Sequence, residues 1–205
     1  MTFGVTDDGF NPKLINDILS DVETQEESDY GADIATHGES ALGQLNATFS
    51  AAIAEGWEVL HSVYRSLYPN SATGEALDQV CALNGVTRLP ATKSTVALEC
   101  AGTTGTLLLA GRVVSLDTSG ERFVSTQNAT IGSGGTVDVP FESENYGPVF
   151  LGTGNAMTIE TPVAGWSTVT ANEDADLGRD LETDAALRAR RADLLAVQAA
   201  GTIEA

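Results

Sequence analysis

Residues 94–105 read STVALECAGTTG. Val96, Leu98 and Cys100 recur at every second position, as a half-buried strand requires, and AGTTG at 101–105 closes the run with a turn. The stretch follows a change of composition at Val86. From 86 to 171 the chain is rich in Thr, Val, Gly and Ser, and turn signals return about every ten residues. TSGE (118–121), GSGG (132–135) and ENYGP (144–148) are the clearest. Between them lie predicted strands at Arg112–Leu116, Arg122–Ser125, Thr136–Phe141, Ala156–Ile159 and Ser167–Ala171. The spacing predicts a small all-β module, a sandwich or an open barrel.

N-terminal to this module the period changes to that of helices. Leu14, Ile15, Ile18, Leu19 and Val22 share one helical face after an Asn11-Pro12 start, and QEESDYGAD (25–33), with no periodicity, reads as a loop. A second helix is predicted from about Glu39 to Tyr68. Its stripe is Leu42, Leu45, Phe49, Ile53, Leu60, Val63 and Leu67, with Trp57 and Tyr64 beside it, and Pro69 ends it. About 28 residues at 1.5 Å each extend about 42 Å, more than a compact domain of this size spans. Such a rod calls for a partner chain in a coiled-coil-like bundle, or for the chain's own β module. A short helix, Thr73 to Asn84, follows with Leu77, Val80, Cys81 and Leu83 inward and Gly85 as its stop. After Asn172 the chain turns helical again, with Thr183 as cap, Asp184 in the first turn and no breaker before Ala200. The expectation is an α+β chain: helical 1–85, β-rich 86–171, and helical 172–205. Gly201-Thr202 reads as a stop followed by a new start.

The charge is one-sided. The formal net charge is −19, and residues 1–89 carry 14 acids against 3 bases. Such a field repels nucleic acid and anionic membrane, so neither is expected as a partner, and it suits a basic partner or plain solubility. No apolar run approaches the roughly 20 residues of a membrane span. Asp7 and Asp8 stand where a signal peptide needs basic and then apolar residues. Cys81 and Cys100 form no disulfide framework and read as reduced, buried small residues of a protein made in a cytoplasm.

No enzyme site is expected. His37 and His61 are the only histidines, no GxSxG elbow accompanies them, and two Cys and two His far apart in sequence make no zinc site. GSGG lacks the Lys of a phosphate loop. Counted from Asp174, the sixth and twelfth residues are Arg179 and Ala185, where a calcium loop needs Gly and Glu, so no cofactor or metal is expected. Carboxylate pairs arise by chance in so acidic a chain.

Four of the ten Lys plus Arg fall within LGRDLETDAALRARR, 177–191. Asp184 and Arg188 are four apart in the favourable order, Arg188 and Arg191 share a face, and Leu187 and Leu194 lie beside it. Arginine suits bidentate pairing with carboxylates in a packed interface, against the lesser alternative of salt bridges along the helix surface. In the preceding TPVAGWSTV, Pro162 and Gly165 set a turn and Trp166 is a large anchor.

These residues resemble the signature of the baseplate J-like family of contractile-tailed phages and related injection machines. The resemblance runs through Thr161, Pro162, Val163, Gly165 and Trp166; then Gly178, Arg179, Glu182, Thr183 and Asp184; then Leu187, Arg188 and Arg190. Upstream, GEALDQVCALNGVTR (74–88), with Gly74, Leu77 and Asp78, resembles the family's Gly-x-x-Leu-Asp helix, and TTGTLLLAGRVV (103–114) its strand turn. The match covers roughly residues 60–200. Family members continue into a further α/β region after the Arg-bearing helix, whereas this sequence stops at Ala205, which suggests a truncated product or a partner region on another chain.

The resemblance implies a structural part rather than an enzyme: a baseplate wedge component in the virion tail, assembled in the host cytoplasm. It would link wedge and hub proteins, and another copy of itself, into a ring and pass a change of ring diameter to the sheath. Trp57, Leu60, Gly74, Leu77, Asp78, Pro162, Gly165, Trp166, Gly178, Arg179, Glu182, Asp184, Leu187, Arg188 and Arg191 are the expected interface and motif residues. The rival reading is an acidic β module that binds a surface glycan or receptor. Its aromatic residues would come from Phe123, Phe141, Tyr146, Phe150 and Trp166.

Overall fold

A computed structural model of the chain describes residues 2–201. The order of elements is β1 (Gly4–Thr6), β2 (Gly9–Asn11), α1 (Ile15–Tyr30), α2 (Ala41–Ser66), α3 (Gly74–Ala82), β3 (Lys93–Gly102), β4 (Leu107–Leu108), β5 (Val113–Leu116), β6 (Arg122–Ser125), β7 (Ala129–Thr130), β8 (Thr136–Tyr146), β9 (Met157–Ile159), β10 (Trp166–Ala171) and α4 (Asp184–Gly201). The class is α+β, as expected. The chain divides into two compact units, one running up to Thr87 and resuming at Arg188, the other Arg88–Leu187. Thus the segment after Asn172 is shared: its first part belongs with the strands and α4 from Arg188 onward with the other helices. The restart expected at Thr202 lies outside the described residues. No helix among those described is long and apolar enough to cross a membrane.

In the β unit, six strands form one antiparallel sheet in the order β10-β3-β8-β6-β5-β9. Its end strands β9 and β10 approach each other, so the sheet is a nearly closed barrel and the choice between sandwich and open barrel falls to the barrel. β4 and β7 add a separate two-stranded ribbon. The alternation read at residues 94–100 is realised: Ser94, Val96, Leu98 and Cys100 all face inward. Val96, Leu98 and Cys100 meet Val114, Phe123, Val139, Phe141, Leu151 and Trp166 in one continuous apolar core. The predicted strands are present with ends shifted by a residue or so, except that β8 continues to Tyr146.

The helical unit departs further from expectation. A hairpin, β1–β2, precedes α1, with Val5 opposite Phe10 and the Thr6 hydroxyl donating to the Gly9 carbonyl (2.8 Å). Asn11 therefore ends a strand rather than capping a helix. α1 begins at Ile15, where the Asp17 carboxylate accepts from the Leu14 N–H at 3.2 Å. The stretch expected as a loop from Gln25 is helical as far as Tyr30. Its polar residues favour no alternation but contain no helix breaker, and the helix stops only at Gly31, with φ 98°. α2 is a 26-residue helix capped by Ser40, whose hydroxyl accepts from the Gly43 N–H (2.9 Å). It is about 39 Å long. α3 buries Leu77 and Cys81 as predicted and is closed by Gly85, with φ 72°, but Leu83 is 86% exposed rather than inward.

Candidate assembly interface

Two sectors of the α2 surface differ in what they meet. Gly43, Asn46 and Ser50 are buried, and Ala54, Trp57, His61 and Tyr64 half-buried, on the side that meets α1 and β2. A Cβ at Gly43 would meet the Thr36 and His37 carbonyls of the preceding loop, and the Asn46 amide donates to Glu26 on α1 at 2.6 Å. Near its C-terminal half, the Phe10 ring of β2 stacks on His61 (5.5 Å, 9°) and lies against Trp57 and Tyr64. The large aliphatics point elsewhere. Leu45, Phe49, Ile53, Val59, Leu60, Val63 and Leu67 are each about half exposed or more. They fall in heptad columns: Leu45, Ala52 and Val59; Phe49, Gly56 and Val63; Ile53, Leu60 and Leu67. A repeat of seven sustained over three turns of the pattern is the geometry of a coiled-coil seam. Of the expected interface residues, Leu60 lies on this outward face and Trp57 on its border.

The arginines are engaged within their own unit. In the helical unit, Arg188 donates from Nε to the Pro69 carbonyl (2.8 Å) and from one terminal nitrogen to the Ala72 carbonyl (2.6 Å). Arg190 donates to the Thr87 carbonyl (2.6 Å) and Arg191 to Asn84 Oδ1 (2.9 Å). The irregular connections flanking α3 have carbonyls that no ladder satisfies, and a planar guanidinium reaches two of them at once where an ammonium would meet only one. Carbonyl and amide oxygens of the same unit are thus among the partners of the arginines that were expected to pair with acids. Gly74 opens α3 with φ 54°, Leu77 is fully buried, and Asp78 is half-buried on the same helix.

In the β unit the remaining motif residues stitch the strand end. Thr92 and Arg179 form an antiparallel bridge, and Arg179 Nε donates to the Pro90 carbonyl at 3.0 Å. Arg88 donates to the Glu182 carbonyl (2.5 Å) and the Asp184 carboxylate (2.6 Å), and the Glu182 carboxylate accepts from the Leu89 N–H (3.0 Å). Asp184 thus pairs with Arg88 of the same unit. Gly178 is a glycine because a Cβ there would meet the Gly147 carbonyl oxygen at 2.5 Å. Leu187 is fully buried.

Pro162 is exposed in its turn, and Gly165, with φ 93°, accepts the Thr103 N–H at its carbonyl (2.7 Å). Trp166 is only 7% exposed and its indole N–H donates to the Thr168 carbonyl at 3.0 Å, so it anchors the barrel's own core. Phe123 and Phe141 are buried too, which leaves Tyr146 and Phe150 as the exposed aromatics among the five that a glycan surface was expected to draw on.

One functional position escaped the sequence reading. Buried Ser94 accepts at Oγ from the Val149 N–H (2.8 Å) and the Gly178 N–H (2.9 Å) and donates to the Gly147 carbonyl (3.3 Å). It ties the motif's glycine to the barrel. Its signal was a serine in register with Val96 and Leu98 on an inward face, which obliges a buried hydroxyl to find partners.

Two titratable groups report on their surroundings. Burial, with the nearby Asp138 and Glu99 charges, pushes the Cys100 thiol up to about 12. The Thr153 N–H and hydroxyl hold the exposed Asp174 carboxyl below its ordinary range. Among the described residues, no three His, Cys, Asp or Glu side chains cluster as metal ligands.

No curated protein matches the chain. Residues 95–179, from β3 through the bridge at Arg179, match the family model described as the Baseplate J-like protein barrel domain, so the barrel unit is similar to that domain and the motif resemblance to the baseplate J-like family stands over this part of the chain.

Proposed function

We propose that the protein is a structural component of a contractile-tail baseplate wedge. It links neighbouring wedge and hub subunits, and a further copy of itself, into a ring around the hub, and couples ring rearrangement to sheath contraction. It acts in the virion tail after assembly in the host cytoplasm, without catalysis. The observation that carries this reading is the baseplate J-like barrel match combined with a heptad face on α2 that the helical unit leaves uncovered. Together they pair a self-contained spacer with a surface built for a neighbour. The network around Arg88, Arg179 and Ser94 supports it further, because a load-bearing part needs its motif loops fixed by directed bonds rather than by packing alone. The test is electron microscopy and subunit mass spectrometry of assembled tails. Density for this barrel in the plate at the tail end is expected, and its absence there would remove the proposal.

A further inference from the structure

Beside the outward face of α2 runs an open groove between α1 and α2, about 450 Å³ in volume. Ile18, Val22, Ile53 and Trp57 floor it, and Asp21 and Glu26 stand along its α1 side. The floor continues into the Leu60 and Leu67 column. At 100° per residue, Glu55 borders the opposite edge of the outward face, next to Ala52 and Val59. α1 itself carries six carboxylates and no base. Lys13, the one ammonium at the groove, is ion-paired with Asp21. The result is an apolar floor between acidic rims.

Midway along the outward face, Ala52 and Gly56 make a waist between Phe49 and Val63, a hole of the kind that receives a large knob. An exposed glycine in mid-helix costs about 1 kcal/mol relative to alanine, a cost that a seated neighbour offsets.

From these features we infer that the groove and the adjoining α2 face seat an amphipathic helix of a different chain, whose apolar heptad seam is flanked by Lys and Arg. A second copy fits less well, because it would bring the same acidic α1 rim and the same Glu55 against their own kind. The inference rests on the assembly role above and names the chemistry of the partner that fills this part of it.

The test uses the full chain and two synthetic four-heptad helical peptides with the same Leu/Ile seam, one flanked by Lys and one by Glu, titrated by calorimetry. The Lys peptide is expected to bind about tenfold tighter at low salt, the sum of three or four flanking pairs. That preference should fade at high salt, where the Debye length falls to about 3 Å. Ile53→Asp, at an exposed position, should abolish binding with the circular dichroism unchanged, and Asp21→Asn with Glu26→Gln should narrow the preference. Equal binding of both peptides, no binding of either, or binding untouched by Ile53→Asp would overturn the inference. So would light scattering that shows a dimer dissociated by Ile53→Asp, since a second copy would then own the groove. If tails contain the protein but the peptides fail, only the partner assignment falls. If the Lys peptide binds but tails lack the protein, the groove stands and the wedge role falls.

Discussion

In the barrel unit Leu98, Val114, Phe123 and Phe141 are at most 1% exposed, whereas in the helical unit Phe49, Leu60 and Leu67 are more than half exposed. The two regions have ordinary apolar residues in similar supply and spend them in opposite directions. The barrel turns every second residue inward, and its sheet nearly closes on itself, so its apolar side chains find one another. The helical unit buries Gly43, Asn46 and Ser50 of α2 and leaves its aliphatic columns facing out. A chain folded for its own stability alone would bury the aliphatics first, since each buried Leu or Phe contributes about 1.5–3 kcal/mol. The contrast teaches that the barrel carries its own stability, while the helical unit leaves its largest apolar face exposed.

The sharpest way to break that contrast is a pair of truncations in the free protein. Phe123→Ala should cost about 3–5 kcal/mol, because it opens a cavity in a closed core. Leu60→Ala should change stability by less than about 0.5 kcal/mol. Urea unfolding followed by circular dichroism reads both, and a comparable loss at Leu60 would mean that the outward face is already covered.

A smaller effect is expected from Ser94→Ala. The buried Gly178 N–H loses its acceptor and the Val149 N–H keeps only the Gly147 carbonyl (3.1 Å), at about 1–3 kcal/mol. The same titration reads it, and a neutral outcome would show that the barrel holds the motif's glycine without the hydroxyl.

Smallest is the response to pH at Cys100. Its folded value of about 12 stands above the ordinary thiol value of about 8.5, so the fold favours the neutral thiol. The linked stability is therefore complete below the ordinary value and is lost as pH rises from there through about 12. In a Cys81→Ala background, the thiol should stay unreactive at mildly alkaline pH until denaturant is added. Prompt labelling of the folded protein would place Cys100 outside the sealed core.

Much of this architecture was legible in local pattern. The alternation of Val96, Leu98 and Cys100, the turn signals between strands, the span of α2 and the Gly85 stop each depend on a few neighbouring residues. The family signature was legible as short runs too, although Gly178 answers a remote demand, the Gly147 carbonyl that a Cβ there would meet. The hairpin before α1 was not legible, since strands of three residues are too short to show a period. The end of α1 was missed because Gln25–Tyr30 lacks an apolar stripe while still tolerating a helix.

The amino-acid sequence by itself determined the periods: where the chain is helix, where it is strand, and which residues share a face. Only the tertiary structure decided which of those faces meets the chain's own neighbours. Asn46 and Ser50 turn inward because close helix packing selects small residues. Trp166 joins the core because the barrel nearly closes. Arg188 reaches the carbonyls at Pro69 and Ala72, far away in sequence, because unsatisfied carbonyls there draw it. Those choices depend on contacts between residues remote along the chain, to which no local pattern is sensitive.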